Sequence, residues 1–169
     1  MTESEIHTFS ELLEAMQAAK GPKVRKTLYL LSLAFGNASC ETGTPQAAVD
    51  FVVAVFASST LCDKPGMSRL LEEVGWEFHR YDDTQKQQIY RALCDTYPQY
   101  QNGEFCWRVC DLVARQYTTH QAMNFFAHQS KAATGEGRQG IDAGLKVIAG
   151  RERHSRNVMA QIQQLQGSL

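Results

Sequence analysis

The strongest constraint on this chain is a helical pattern that recurs in pairs along its 169 residues. Each pair consists of two apolar or amphipathic segments, and successive pairs begin about 35 to 40 residues apart, a spacing typical of stacked helical hairpins. The pattern predicts one all-α domain over residues 1–169, with about eight or nine helices stacked as antiparallel hairpins. The first helices begin near Thr8, Thr44, Asp83 and Thr118, and the second near Lys23, Pro65, Gly103 and Arg138.

Capping and turn residues set the predicted helix boundaries. Thr8 with Glu11 three positions later matches a capping box, in which each side chain satisfies a free backbone amide of the first turn. The run 24–35 is apolar nearly all round and predicts a central, buried second helix that ends at Gly36 and Asn37. Thr118 and Thr119 predict the cap at the start of a later helix.

The run 47–57 is the one segment whose type is ambiguous. It is rich in β-branched residues, so on propensity alone it fits a buried strand. Thr44 and Pro45 before it match a helix cap followed by proline at the first helical position. Since no second strand is available for pairing, we predict a helix.

Composition narrows the function classes. With 43% apolar residues, 21% charged residues and a net charge of -1, the chain has no global electrostatic attraction to nucleic acid or to an anionic membrane. Its N-terminus is acidic without a continuous apolar stretch, and its longest apolar runs are about half of the 20 residues that span a bilayer. We therefore expect a cytoplasmic protein that has no membrane partner, no cofactor and five reduced cysteines.

Two segments resemble the second helix of a HEAT or armadillo repeat. They are RQGIDAGLKVIA, residues 138–149, and WRVCDLVAR, residues 107–115. The resemblance covers about two of the four hairpins and implies stacked hairpins. The predicted fold is thus a HEAT-like solenoid or an irregular helical bundle. It further implies a concave surface that binds protein or nucleic acid, and it transfers no catalytic residue.

Two motifs suggest chemistry, but each has a simpler explanation. Residues 135–140 fit GxGxxG, yet no apolar strand precedes them and Ile141 stands where a phosphate-binding lysine is required, so we predict an interhelical loop. Cys106 and Cys110 share a helix face and, with His120 or His128, are the candidate ligands of a metal site. Neither CxxC nor HExxH occurs, so we expect no metal and predict that both cysteines pack in the core.

Basic and aromatic residues are the candidate binding residues. A basic stretch after the last hairpin fits a solvated turn, an acidic protein partner or nucleic acid, and a second cluster lies early in the chain. Aromatic residues concentrate in the middle of the chain, mostly as core, while two tyrosines at a helix end fit interface anchors. The binding candidates are Tyr97, Tyr100, Arg138, Lys146, Arg151, Arg153 and Arg156, and the early cluster is Lys20, Lys23, Arg25 and Lys26.

Buried helices are plentiful in this pattern, while constellations that carry a reaction are missing. We therefore expect a noncatalytic protein-interaction module or adaptor that presents a preformed helical surface. The alternatives are a nucleic-acid-binding helical repeat that uses its basic turns, and a small helical enzyme with a metal or thiol centre.

Overall fold

The computed structural model describes residues 8–42, 45–133 and 135–169. Within these ranges the chain forms ten α-helices and no β-strand, which confirms the all-α prediction. Short 3₁₀ turns at 78–80 and 97–99 follow α5 and α6. The helices are α1 (Phe9–Ala18), α2 (Val24–Thr42), α3 (Pro45–Phe56), α4 (Ser59–Cys62), α5 (Ser68–Glu77), α6 (Asp83–Thr96), α7 (Gly103–Gln116), α8 (Thr119–Gln129), α9 (Glu136–Arg151) and α10 (Arg156–Gln166).

The helices group into two compact units, Met1–Thr96 and Tyr97–Leu169. In the first unit α2 packs against α5 and α3 packs against α6, while α1 contacts both α2 and α3. In the second unit α9 packs most extensively against α7 and also contacts α8 and α10. That the chain is one domain stays a prediction. No helix in the described parts of the chain is long and apolar enough to cross a membrane.

The capping box expected at Thr8 is present, and Thr118, expected as a cap, forms a second one. The Thr8 hydroxyl accepts a hydrogen bond from the Glu11 amide at 3.2 Å, and the Glu11 carboxylate accepts one from the Thr8 amide at 3.0 Å. Thr118 and Gln121 make the same exchange at the start of α8. These local signals were reliable because a cap is satisfied within four residues of sequence.

The C-terminus of α1 is closed by a residue distant in sequence. The Lys64 ammonium, from the turn after α4, donates three hydrogen bonds to carbonyls at the end of α1, where a cation also opposes the negative end of the helix dipole. The local sequence around Lys64, which precedes Pro65 and Gly66, indicates only a turn. The acceptors are the carbonyls of Met16, Gln17 and Ala19, at 3.1, 2.7 and 3.0 Å.

The predicted end of α2 at Gly36 was wrong, because the helix continues to Thr42. A Cβ atom at Gly36 would lie 2.8 Å from Oε2 of Glu73 on α5. Glycine therefore serves here as a site of close approach inside a helix rather than as a stop. Nor is α2 buried on all sides, since Tyr29 is 44% exposed.

The ambiguous run 47–57 is helical, as predicted. Thr44, the expected cap, lies outside the described residues, and α3 begins at Pro45. Its Phe51 ring stacks on Phe35 of α2, with 5.3 Å between centroids, and lies 5.5 Å from Phe9 of α1. This aromatic cluster joins three helices, which explains why tertiary packing outweighs the strand propensity of the run.

The GxGxxG segment was predicted as a loop, but α9 begins at Glu136 within it. Two glycines along α9, Gly140 and Gly144, lie where neighbouring atoms come too close for a side chain. A Cβ atom at Gly140 would lie 2.9 Å from the Cys106 carbonyl oxygen, and one at Gly144 would lie 2.5 Å from Phe126. The glycines therefore let α9 approach α7 and α8 closely, and this close packing explains why glycine recurs in the segment.

Candidate interaction surface

An exposed tyrosine and an exposed tryptophan flank one arginine on the first compact unit. The guanidinium carbon of Arg69, on α5, lies 5.3 Å from the ring centroid of Tyr29 on α2 and 5.6 Å from that of Trp76 on α5. Trp76 is 70% exposed, the highest value among the large hydrophobic residues described. We call this arrangement the Tyr29–Arg69–Trp76 surface. Its two rings and its cation are held in a preformed array by cation–π contacts.

Two carboxylates hold the arginine in place. Nη1 of Arg69 donates to Glu72 at 2.5 Å, and Nη2 donates to Glu73 at 2.6 Å. Burial opposes the charged form, but the hydrogen bond and charge of Glu73, with the charge of Glu72, raise the pKa of Arg69 above its usual value. The guanidinium is thus charged and immobilised, so a partner that contacts it meets little loss of side-chain entropy.

The backbone positions this surface through glycine contacts between α2 and α5. Gly66, before α5, has a φ of +99°, which glycine adopts readily, and a Cβ atom there would lie 2.6 Å from the Arg25 carbonyl oxygen. Near the other end of the helix pair, Gly36 adjoins Glu73, the carboxylate that holds Arg69. Gly66 therefore lets the backbones of the two helices lie close together, and the missing side chain at Gly36 leaves room for the carboxylate that holds Arg69.

Trp76 is one of the aromatic residues in the middle of the chain, most of which were predicted to lie in the core. The apolar face of α5 was predicted correctly, since Met67, Leu70, Leu71, Val74 and Phe78 are all buried. Trp76 lies two residues after Val74, about 200° around a helix that turns 100° per residue, and so points away from that face. Its position on the helical wheel was the signal that could have identified it.

The two tyrosines proposed as interface anchors belong to the core of the second unit. Tyr97 is 0% exposed and Tyr100 is 4% exposed, and their rings meet edge to face with 6.1 Å between centroids. The Tyr97 ring also packs against Phe125 at 5.3 Å. Because neither ring is on the surface, we do not retain them as binding residues.

Arg151, a predicted binding residue, has a structural role. Its Nη1 donates to the carbonyls of Ala114 and Tyr117, at 2.7 and 3.4 Å, and its Nη2 donates to the Thr119 hydroxyl at 2.6 Å. These acceptors surround the end of α7 and the start of α8. The guanidinium therefore satisfies carbonyls at a helix C-terminus, where a cation also complements the helix dipole.

The other basic candidates are exposed, though most have partners within the second unit. Lys146 pairs with Asp142 at 2.6 Å, and Arg138 donates to the carbonyls of Ala133 and Leu169. Arg153 donates to the adjacent His154 ring at 3.1 Å, and Arg156 is exposed at the start of α10. The early cluster, Lys20, Lys23, Arg25 and Lys26, belongs to the first unit and is also exposed.

Cys106 and Cys110 are both 0% exposed, as the core interpretation predicted. Burial raises the pKa of the Cys110 thiol well above its usual value, which opposes the thiolate that nucleophilic attack or metal binding requires. In the described ranges, no three histidine, cysteine, aspartate or glutamate side chains are grouped to hold a metal ion. Neither thiol is therefore placed for chemistry.

A shallow, open cleft of about 420 Å³ lies along α6. Beside it, the Gln46 amide of α3 donates to Gln88 at 3.1 Å, and the Gln85 amide donates to Gln46 at 3.3 Å. The cleft contains no exposed aromatic anchor, so we rank it below the Tyr29–Arg69–Trp76 surface. Its lining residues are Asp83, Thr84, Gln87, Gln88 and Arg91.

Comparison of the chain with protein families, with curated proteins and with solved structures found no match.

Proposed function

We propose that this protein is a noncatalytic interaction module that binds another protein through the Tyr29–Arg69–Trp76 surface. The observation that carries the proposal is the 70% exposed Trp76, held beside an arginine that two carboxylates immobilise. Tryptophan, tyrosine and arginine are the residue types most enriched at energetic hot spots of interfaces. A surface that is already ordered also binds at a lower entropic cost than one that must order on contact.

The helix pairings support a stack of hairpins, the architecture of HEAT-like adaptors. In the first unit, α1, α3 and α6 are the first helices of successive hairpins, and α3 packs against both α1 and α6. The second helices of two of these hairpins, α2 and α5, also pack together. In the second unit, α7 and α9, which are second helices of their hairpins, make the most extensive helix–helix contact. We propose this arrangement, in a cytoplasmic protein, as the scaffold that presents the surface.

Nucleic-acid binding by the basic turns has less support. Arg151 holds the end of α7, and Lys146 is paired with Asp142. These two side chains would have to give up protein partners before they could contact phosphates. A thiol centre also has less support, because Cys106 and Cys110 are buried.

The test is substitution of Trp76 combined with identification of partners. Proteins that associate with the full chain in its native host are identified by mass spectrometry, and one is purified for a direct titration. We expect Trp76→Ala to weaken binding by about 2 kcal/mol, or about 30-fold in Kd, as for a hot-spot residue.

The matched control is Trp107→Ala, because Trp107 is also exposed, at 42%, but lies on α7 in the second unit. Circular dichroism must show that both variants remain folded. If every associated protein binds the Trp76→Ala variant as tightly as the wild type, the proposal is wrong.

A further inference from the structure

We infer that the partner bound at the Tyr29–Arg69–Trp76 surface is an acidic peptide segment that carries one apolar anchor residue. This inference rests on the proposed function, because it specifies the partner's chemistry at the same surface. It combines three observations: the direction in which α2 and α5 run, the charges at each end of the helix pair, and the exposure of the two rings.

The helices α2 and α5 run side by side in the same direction. Contacts between them advance along both helices together, so their N-terminal ends lie at one end of the surface. Tyr29 and Arg69 lie beyond that end, and Glu73 and then Trp76 lie further along. The successive contacts join Arg25 with Gly66, Tyr29 with Arg69, and Gly36 with Glu73.

The N-terminal end of this helix pair is basic. Lys26 lies one turn before Tyr29 on the same side of α2, and Lys23 lies immediately before the helix. Both lysines are exposed, and neither makes an ion pair within the described parts of the chain. Their charge is therefore available, in contrast to that of Arg69, and it complements acidic residues of a partner.

The other end of the surface combines the exposed apolar ring of Trp76 with the carboxylates of Glu72 and Glu73. Trp76 offers an exposed ring for an apolar side chain, while Glu72 and Glu73 remain beside it, balanced by one arginine. A nucleic acid has a phosphate at every residue and would bring phosphates against these carboxylates. A peptide can place acidic residues at the lysines and an apolar residue at the ring, so a peptide fits both ends.

The helix geometry sets the spacing within the peptide. At 1.5 Å per residue, Lys26 precedes Tyr29 by about 4.5 Å along the axis, and Lys23 precedes it by about 9 Å. An extended peptide advances about 3.3 Å per residue. Trp76 lies seven residues, or about 10.5 Å, beyond Arg69, which is level with Tyr29. The acidic residues should therefore lie about four to six positions from the anchor.

The test is selection of a random twelve-residue peptide library on the immobilised full chain, with the Trp76→Ala variant as counter-selection. Enriched peptides are then titrated against the wild type, Lys23→Glu/Lys26→Glu and the control Arg153→Glu/Arg156→Glu. The control makes the same change in charge on exposed residues of the second unit. A labelled single-stranded DNA is titrated in parallel, and sedimentation measures self-association.

We expect the enriched peptides to carry aspartate or glutamate about four to six positions from an aromatic residue or leucine. Their Kd should rise at least tenfold with Lys23→Glu/Lys26→Glu and less than twofold with the control. The inference would be overturned if no peptide is enriched or if the enriched peptides are neutral or basic. It would also be overturned if DNA competes for the surface or if the protein forms a dimer that requires Trp76. If the partner's binding depends on Trp76 but not on the lysines, the inference fails while the proposed function stands.

Discussion

The hydroxyl group of Tyr97 donates a hydrogen bond to the backbone carbonyl of Gly137 over 2.7 Å, inside the core of the second unit. The same oxygen lies 3.1 Å from the Cys110 sulfur. Because the single hydroxyl proton is directed at a carbonyl, which only accepts, the Cys110 thiol donates to Tyr97. A residue of the 3₁₀ turn, one of α7 and one of α9 are thereby joined in one buried polar contact.

Replacing Tyr97 with phenylalanine removes the hydroxyl and keeps the ring packing. We expect Tyr97→Phe to lower the free energy of unfolding by about 1 to 2 kcal/mol, because a buried hydrogen bond is lost. Chemical denaturation measures the change. Tyr29→Phe, which alters an exposed ring, should change stability by less than about 0.5 kcal/mol, and equal losses in both variants would contradict the assignment.

Buried tyrosines make stability depend on alkaline pH. Burial raises the pKa of Tyr90 to about 12 and that of Tyr97 in the same direction, whereas a tyrosine in the unfolded chain titrates near about 10. Above that value the unfolded state releases protons that the folded state retains. Through these tyrosines stability should therefore fall from about pH 10, and the buried thiols, whose pKa is about 8.5 in the unfolded chain, should begin the fall at a lower pH. Tyr97→Phe should reduce the slope of this fall, and an unchanged slope would refute the role of Tyr97.

The glycines of α9 should respond to alanine with opposite signs. Gly140→Ala forces a Cβ atom to within 2.9 Å of the backbone carbonyl oxygen of Cys106, so we expect a net loss of about 1 to 2 kcal/mol from overpacking. Gly150→Ala meets no atom within 4 Å and should gain about 0.5 kcal/mol from helix propensity. Thermal unfolding distinguishes the two, and a stabilising Gly140→Ala would show that α9 is not tightly packed there.

Arg151 and Arg153 are two residues apart but should differ in their effect on stability. Arg151→Ala removes three hydrogen bonds at the junction of α7 and α8, and we expect a loss of about 1 to 2 kcal/mol, reduced by partial exposure. Arg153→Ala removes only a contact with an exposed neighbour and should cost less than about 0.5 kcal/mol. Urea denaturation of both variants provides the comparison, and equal effects would argue against helix capping by Arg151.

The thiols described in the structure should be unreactive in the folded protein. Cys62, Cys106 and Cys110 are inaccessible, and burial raises the pKa of Cys94 to about 11. At pH 8 only about one in a thousand Cys94 thiols would then be ionised. Iodoacetamide labelling followed by mass spectrometry should show slow modification of all four, which unfolding in guanidinium accelerates. Rapid labelling of Cys106 in the native protein would contradict its burial.

The sequence predicted features that depend on near neighbours. Thr8 and Thr118 identified helix starts because the partner of a capping residue is three positions away. The apolar face of α5 was also identified, since burial of one helix face follows the 3.6-residue period whatever the helix packs against. The burial of Cys106 and Cys110 followed from their residue type.

Other features depended on residues distant in sequence. From the sequence alone, Gly36 indicates a helix end. In the structure it lies inside α2, next to the Glu73 carboxylate. From the sequence alone, Tyr97 fits an interface anchor. In the structure it lies in the core, where its hydroxyl donates to the Gly137 carbonyl. A glycine, tyrosine or arginine has the same local pattern in either role, so only the neighbour decides between them.

The sequence by itself determined that this protein is built of helices, where most of them begin, and which faces are apolar. The tertiary structure decided which aromatic residues remain exposed and which basic residues are already occupied. Periodicity and capping are properties of a few consecutive residues, whereas the pairing of Arg69 with Tyr29 spans 40 positions and exists only after α2 and α5 have packed together. The candidate interaction surface is a consequence of that packing.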